Sequence, residues 1–552
     1  MESSTIFPTL VSIVFDIWAA VVLYQYAVSG TRKRVLFVSY LGFVVPFACV
    51  LLISFDIDNT LANRYRSFLY YTWRVIYWTL QLLSWVIFPF NMEKERSGSW
   101  RKSFETNAIW WGIYVVVGLA GVIYFFGMTD FGFQGMLAFA YAASNTFGLL
   151  LIILLAGYGL VAAPKYFYLK SKPDEYLEYL YIQAVNAEDA RLAAKYDLQD
   201  AFNAAKKKLD AADPTMTAVA TFLSSTYGVN ASSAGGQGSG NTPDPDTGTA
   251  LRDALMTARR SVSAWKTIVK QCILYENVYA RPEDAAVSQF EATTQRTYGI
   301  FLRVFSICAG VLSGLIIFAQ STIFIDAWWL SLIAVVFRKG VWENPSVLEG
   351  AFESFFIQAL ITIPPVWIFY CCYFSLTKLK LGTYYGLYPN HNTDTLSLVW
   401  YSCMFIRISF ALVYNYLLVL RIPDHPSTVF EEMQGWMNVV PLLGDSVTEY
   451  FPLLILVVAL MTLSNTYSKM MTWLGLTSLQ FEAPTNPATK QKLVDEGKKL
   501  VLRERQTRRA SIEQVGLSLA KPVGSLPAPN SIEMGLTKIL GRNNYAPLDE
   551  SN

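Results

Sequence analysis

Nine apolar stretches, each long enough to cross a lipid bilayer as a helix, dominate the sequence. A transmembrane helix needs about 20 consecutive, mostly apolar residues. Backbone polar groups in lipid must be hydrogen-bonded within the protein, which favours helices. The stretches are residues 6–28, 35–55, 68–90, 108–128, 136–162, 301–325, 352–376, 396–420 and 451–471. The sequence therefore predicts an all-α fold, a polytopic transmembrane helical bundle.

The composition supports a membrane protein over a soluble one. Hydrophobic residues make up 53% of the 552-residue chain and charged residues 16%. The aromatic residues include 15 Trp, 32 Tyr and 35 Phe, and such rings are typical of membrane interfaces. The six cysteines form no spaced framework, and a net charge of +2 gives no reason to expect nucleic-acid binding.

Short clusters of Lys and Arg predict how the chain is oriented. They stand at residues 32–34, 94–102, 165–172 and 378–380 and in the tail. Cytoplasmic loops carry an excess of such residues, and all the clusters share one side if the amino terminus is outside. The opposite loops contain more acidic residues, namely Asp56, Asp58, Asp130, Asp424 and Asp445. We expect nine spans with the amino terminus outside and the carboxyl terminus inside.

These features divide the chain into five segments. Residues 1–163 hold five spans, residues 164–297 form a polar cytosolic insert, and residues 298–478 hold four spans. Residues 479–515 form a basic segment beside the membrane, and residues 516–552 have the composition of a disordered tail. Residues 327–337 are too short to span and are typical of a re-entrant piece.

The insert reads as two helical arms joined by a flexible linker, residues 229–249, which is rich in Gly, Ser, Asn and Pro. Apolar residues recur every three or four positions in both arms, which predicts an antiparallel helical hairpin with coiled-coil spacing. The second arm carries the clearer stripe: Leu251, Leu255, Val262, Trp265 and Val269. Either the two stripes bury each other, or part of this stripe is left for a cytosolic or receptor protein.

The basic segment after the ninth span alternates apolar and cationic residues. On a helix this pattern predicts an amphipathic surface that lies on anionic membrane lipids. Ser511 follows Arg508 and Arg509, as in sites of basophilic kinases, and its phosphorylation would weaken the attraction to lipid. The alternative is a solvated helix with a chance kinase match.

Three polar residues within the spans form a candidate intramembrane site. Asp16 lies near the middle of the first span, Asn145 in the fifth and Arg407 near the middle of the eighth. Ionisable residues in a bilayer are costly, and each is therefore a candidate for function. Asp16 and Arg407 would pair as a structural unit, snorkel separately to the interfaces or line a polar path. Asn145 would either pack helices together or belong to that path.

The sequence contains no recognisable catalytic or cofactor motif. It has no nucleophile elbow, no Gly-rich phosphate loop and no metal-ligand cluster, so we expect no enzyme activity, cofactor or metal. His391 to Asp394 stand together before the eighth span. They form either a small polar site or the start of a helix, with Asn392 or Thr393 as the N-cap.

Several motifs carry a family resemblance. They are residues 73–78 (WRVIYW) with Trp85, Pro89 and Phe90, residues 107–112, residues 142–164, residues 391–394 with Arg407 and Asn415, and residues 493–498. Together they resemble the limb-region-protein/lipocalin-receptor family of membrane proteins, and especially its "domain-containing protein 2" branch.

The resemblance implies nine spans, an outside-in orientation and a coiled-coil cytoplasmic insert. Its branches include endocytic lipocalin receptors, partners of an ABC protein in lysosomal cobalamin export, and proteins of adrenergic-type G-protein-coupled receptor signalling at the plasma membrane. We therefore expect a non-enzymatic, receptor-like regulator or scaffold of the plasma membrane, with an endosomal or lysosomal membrane as the alternative compartment. The alternative function is a transporter or a lipid- or cofactor-handling protein.

The predicted topology leads to a test by glycosylation. The one acceptor motif, Asn230-Ala231-Ser232, lies in the cytosolic linker and should stay unmodified, so endoglycosidase treatment should not change the mass of the protein. Pro345→Ala is a matched control, because it makes an acceptor motif of Asn344 and Ser346 in a loop predicted to lie outside. A glycan on Asn230 would contradict the orientation.

Overall fold

The computed structural model describes residues 6–518, with gaps at 29–30, 32, 63–64, 98, 128–131, 209–213, 229–244, 281–288, 326, 340–350, 379–385, 421–427, 435–444, 465 and 467–486. Within this part the chain is helical, and its one bridge between extended residues joins Ala27 and Thr393. The expected all-α architecture is confirmed.

The first membrane block contains six helices and a π turn. They are α1 (Ile6–Tyr26), α2 (Lys33–Ala62), α3 (Arg66–Leu82), the π turn Leu83–Ile87, α4 (Phe88–Ser97), α5 (Trp100–Gly127) and α6 (Gly132–Lys170). α3, the π turn and α4 follow one another without a break and make up the third predicted span.

The insert, the second membrane block and the tail supply the remaining helices. The insert holds α7 (Pro173–Lys208), α8 (Pro214–Tyr227), α9 (Pro245–Tyr275) and the π turn Glu276–Ala280. The second block holds α10 (Gln289–Ser321), the 3-10 turn Trp328–Leu330, α11 (Leu332–Phe337), α12 (Ala351–Lys378), α13 (Thr395–Leu420), α14 (Val429–Gln434), α15 (Asp445–Tyr450) and α16 (Leu453–Leu463). The tail forms α17 (Pro487–Ser518).

Seven helices of the described residues are long and apolar enough to cross a membrane. They match the predicted spans other than the fourth and the ninth. The fourth predicted stretch lies on the 28-residue α5, and the ninth begins on the 11-residue apolar helix α16. The chain is therefore a multi-pass membrane protein, and nine is an approximate count of its spans.

The boundaries of the insert differ from those expected. α6 continues past residue 163 to Lys170, and α10 begins at Gln289, before residue 297. α9 begins at Pro245, inside the predicted linker, and linker residues 229–244 lie outside the described residues. The membrane helices α6 and α10 therefore both extend into the segment predicted as the insert.

α6 and α13 form the centre of the membrane block. Most side chains of α13 are buried, against α2, α6 and other helices. Gly148 of α6 lies against the backbone of Arg407, and a Cβ there would stand 2.6 Å from that carbonyl oxygen. Gly157 lies equally close to Val458 on α16, and Gly159 closer still to the backbone of Cys371 on α12. Small residues allow this approach, as expected for membrane helices.

A buried aspartate joins three elements at the opposite end of the bundle from the insert. Asp56 of α2 accepts hydrogen bonds from the indole nitrogen of Trp73 on α3 at 2.9 Å and from the backbone nitrogens of Val429 and Phe430 at 3.1 and 2.8 Å. Val429 and Phe430 open α14, where free N–H groups favour an anion. Asp56 was expected in a loop; the structure places it inside a helix as a structural tie.

We expect Asp56→Ala to lower the free energy of unfolding by about 3 kcal/mol, because it leaves three buried donors without an acceptor. Glu432→Ala is the matched control, since Glu432 pairs with Arg66 at 3.0 Å on the surface and such pairs contribute about 0–1 kcal/mol. Thermal unfolding of the purified protein in detergent measures both. Equal shifts for the two variants would contradict the role of Asp56.

Candidate functional site

The insert and the tail form one unit, which we name the insert bundle: α7, α8, α9 and α17. The amino-terminal half of α7 packs on the carboxyl-terminal half of α9, so the two arms run antiparallel. The other ends of these arms enclose α8 in a second apolar cluster. The arms thus bury their apolar faces against each other, while a regular coiled coil stays a prediction.

The candidate partner-binding stripe lies inside this bundle. Leu251, Leu255, Trp265 and Val269 are buried, and Val262 is half-buried. Leu251 and Leu255 pack against α7 and α8, and Trp265 and Val269 against α7 and α17. The structure matches the alternative in which the stripes bury each other. Binding of a partner to this stripe stays a prediction, and it would require these side chains to leave their present contacts.

The tail helix α17 is the third member of the bundle. Val494 and Val501 are buried in the cluster formed by α7 and α9. Gly497 lies between them against the backbone of Tyr181, where a Cβ would collide with the carbonyl group. The apolar face of the tail is therefore covered by protein, and this packing gives no support to the prediction that the face lies on membrane lipid. Attraction of its exposed cations to anionic lipid stays a prediction.

Polar contacts at both ends of this interface hold α17 in register. Lys490 pairs with Glu178 of α7 at 2.8 Å. Glu276 receives a hydrogen bond from the Tyr181 hydroxyl at 2.6 Å and pairs with Arg505 at 3.3 Å. Burial and the neighbouring Glu276 carboxylate raise the pKa of Tyr181 well above its usual value, so the phenol stays protonated and donates.

Cys272 and Ser511 are the two residues of this region that could be chemically modified. Burial raises the pKa of the Cys272 thiol to about 12, which leaves it protonated and unreactive. Ser511 belongs to α17, but its side chain lies outside the described residues. Its phosphorylation stays a prediction.

Arg260 of α9 attaches the insert bundle to the membrane block. Its guanidinium is buried, forms an ion pair with Asp394 and donates from Nε to the backbone oxygen of Asn392 at 3.2 Å. The same group lies 4.7 Å from the centre of the Tyr388 ring. Removing one partner of a buried ion pair is strongly destabilising, so this junction is a firm contact.

The loop that receives Arg260 also contacts the end of α1. The backbone nitrogens of His391 and Thr393 donate to the carbonyl oxygens of Gln25 and Tyr26 at 2.7 and 2.9 Å. Asn390 and His391 both have positive φ values near 60°, which turns the loop towards α1. The loop before α13, the end of α1 and the insert therefore meet at one end of the bundle.

Asp394 is the N-cap of α13, and the prediction of Asn392 or Thr393 in that role is wrong. Its carboxylate accepts from the backbone nitrogen of Ser397 at 3.2 Å, the usual N-cap bond, and from the Ser397 hydroxyl at 2.6 Å. Thr393 instead bonds the backbone of Tyr388 in both directions, at 2.7 and 2.8 Å. These residues hold the loop in the shape that accepts Arg260.

The three intramembrane candidates lie on three different helices, α1, α6 and α13. Arg407 donates to the Ser84 carbonyl at 3.4 Å, and its guanidinium lies 4.8 Å from the Trp85 ring and 5.4 Å from the Phe147 ring. Asp16 lies on α1, and no ion pair between it and Arg407 is present in the part of the chain that the structure describes. Asn145 is buried on α6, with a side-chain oxygen that has no hydrogen-bond partner among the described residues.

Arg407 lines a small pocket between α3, α6 and α13. The π turn at residues 83–87 interrupts the regular helical hydrogen bonding and contributes Ser84 and Trp85. Gln81 donates to the Ser144 hydroxyl at 2.9 Å and accepts from the Trp85 indole at 2.7 Å. The full lining is Leu80, Gln81, Ser84, Trp85, Ser144, Phe147, Ile406, Arg407 and Phe410.

Across the described ranges, no three His, Cys, Asp or Glu side chains are grouped so that they could hold a metal ion. Arg260 was missed at the sequence level because it lies beside the apolar stripe, where a cation is usually solvated.

Comparison with known proteins supports the resemblance noted above. A family model described as "LMBR1-like membrane protein" matches residues 4–467. The chain is 25% identical to LMBR1 domain-containing protein 2 homolog A of Dictyostelium discoideum, covering 79% of this chain and 62% of that protein. It is 25% identical to the LMBR1 domain-containing protein 2 homolog of Drosophila melanogaster, covering 80% and 69%.

A human relative has a more specific name. The chain is 23% identical to the G-protein coupled receptor-associated protein LMBRD2 of Homo sapiens, over 80% of this chain and 69% of that protein. The chain thus spans about two thirds of the length of these relatives. No solved structure matches it. These findings confirm the predicted family and its branch.

The packing of α17 can be tested at Gly497. Gly497→Ala should push α17 away from the Tyr181 backbone and speed hydrogen exchange across residues 487–506 by about tenfold, because the added Cβ has no room. Glu496→Ala, at the exposed neighbouring position, should leave exchange unchanged. Hydrogen–deuterium exchange followed by mass spectrometry compares the two variants. Unchanged exchange in the Gly497 variant would contradict the docking.

Proposed function

Because this chain belongs to the LMBR1-like family of membrane proteins, we propose that it is a regulator or scaffold of G-protein-coupled receptor signalling. In this proposal it acts by binding and carries out no chemistry of its own. The proposal is supported by the names of similar proteins, among them the G-protein coupled receptor-associated proteins LMBRD2 of chicken, frog and human. The expected adrenergic-type receptor and the plasma membrane belong to the same proposal.

The observation that carries the proposal is the Arg260 junction. A scaffold must hold its partner-binding part in a defined position relative to its membrane helices. Arg260 does this by connecting α9 to the loop before α13, and that loop is bonded to the end of α1. A receptor tail bound to the insert bundle would therefore be held at a defined distance from the membrane helices.

Because the stripe from Leu251 to Val269 is buried, the proposed partner would bind the outer faces of the insert bundle or a surface exposed by its opening. Opening would have to separate α17 from α7 as well. The tail therefore stabilises the closed form of the bundle, since Val494 and Val501 contribute to the same apolar cluster as α7 and α9.

A second candidate function is transport or handling of a lipid or cofactor. It is favoured by the pocket around Arg407, which places a charged group and the polar residues Gln81, Ser84 and Ser144 among membrane helices. Such residues mark substrate paths in many membrane proteins. The two functions use different parts of the molecule and can be separated by mutation.

We expect Arg260→Gln to reduce co-purification with an adrenergic-type receptor at least fivefold, because the insert bundle loses its attachment to Asp394 and Asn392. Arg259→Gln removes the same charge from the neighbouring position and should bind normally. Quantitative pull-down of the full chain from cross-linked cells measures both variants. Arg407→Gln should bind the receptor normally. Normal binding by Arg260→Gln would contradict the role of this junction in the scaffold.

A further inference from the structure

We propose that the pocket at Arg407 binds the carboxylate of a free fatty acid from the membrane. The inference does not rest on receptor association, which the Arg260 variants test separately. It rests on the position of the guanidinium, on the groups around it and on the size of the pocket.

The position of Arg407 favours an anion beside its guanidinium. It stands 12 residues after Thr395, which begins α13, and therefore about 18 Å along the helix. That is near the middle of a hydrocarbon core about 30 Å thick. A charge at this depth is costly unless it is paired.

The described residues supply only some of the hydrogen-bond acceptors that the guanidinium can use. The guanidinium donates to the Ser84 carbonyl oxygen at 3.4 Å, interacts with the Cys403 thiol and lies over the faces of the Trp85 and Phe147 rings. Its buried Nε has no hydrogen-bond partner. No ion pair joins Arg407 to a carboxylate among the described residues, and Asp16 lies elsewhere on α1. Arg407 therefore keeps hydrogen-bonding capacity for an anionic ligand.

The size and lining of the pocket select the ligand. The space beside the guanidinium is about 10 Å³, at the lower limit for one water, so a carboxylate enters only if the Trp85 and Phe147 rings move aside, and the larger phosphodiester of a phospholipid would need still more room. Gln81 and Ser144 form the polar wall, and Leu80, Ile406 and Phe410 form the apolar one. A carboxylate accepts paired hydrogen bonds from an Arg side chain, which makes this the strongest match.

An apolar path for the tail of the ligand leads away from the pocket. Phe147, Leu150 and Leu154 of α6 are 38%, 43% and 51% exposed and follow one another at helical spacing. On another side, Trp111 and Tyr114 of α5 contact Trp85. A single acyl chain can lie in the bilayer against these exposed side chains while its carboxylate reaches Arg407, whereas a helix about 10 Å wide cannot insert between α3, α6 and α13.

The test uses the full chain in phosphatidylcholine nanodiscs with a photoactivatable palmitic acid as the probe. We expect saturable labelling of peptides from α3, α6 or α13. Palmitic acid should compete with the probe, and methyl palmitate should not, because it has the same chain but no charge. This competition uses the unmodified protein and does not depend on how a variant folds.

Arg407→Gln should reduce labelling about tenfold, since it removes a charged hydrogen-bond donor. Arg303→Gln is the matched control, because Arg303 is an exposed arginine of another membrane helix, and its labelling should be unchanged. Equal competition by methyl palmitate, or labelling unaffected by Arg407→Gln, would overturn the proposal. Displacement by an acidic receptor transmembrane peptide at lower concentration than palmitic acid would overturn it in favour of a protein ligand.

Discussion

Close backbone contact along α6 is the constraint on which the rest of the structure depends. Membrane helices gain little from the hydrophobic effect among lipid tails, so they associate through tight packing. Gly148, Gly157 and Gly159 supply that packing against α13, α16 and α12 in turn. α6 then continues to Lys170 and passes into α7 after only two residues. The direction in which the insert bundle leaves the membrane is therefore set by the helix that organises the membrane block.

A second attachment prevents the insert bundle from turning about that connection. Arg260 contacts the loop that begins α13, while α17 covers the α7–α9 pair from the other end of the chain. α13 carries Asp394 at its start and Arg407 near its middle. One buried helix thus contacts both the insert bundle and the intramembrane pocket, although the two sites differ in chemistry and are tested by different variants.

Where the structure differs from what the sequence predicted, the cause is that a local pattern leaves several tertiary arrangements open. An amphipathic pattern shows which face of a helix will be buried, but it does not show what will bury it. The stripe from Leu251 to Val269 was a candidate surface for a partner, and the structure packs it within the chain. The tail helix was expected to lie on membrane lipid, and the structure packs it on α7. The N-cap was placed one or two residues early because several capping residues stand in a row, and only the geometry distinguishes Asp394.

The sequence by itself determined the fold class, the approximate spans, the two arms of the insert and the family, because these depend on runs and spacings of residue types. Only the tertiary structure decided which distant residues meet. Arg260 lies 134 positions from Asp394, and Asp56 lies 374 positions from Phe430. The tertiary structure also shows that Asp16, on α1, is not the partner of Arg407, on α13. No local pattern encodes such contacts, since they follow from how whole helices pack around α6 and α13.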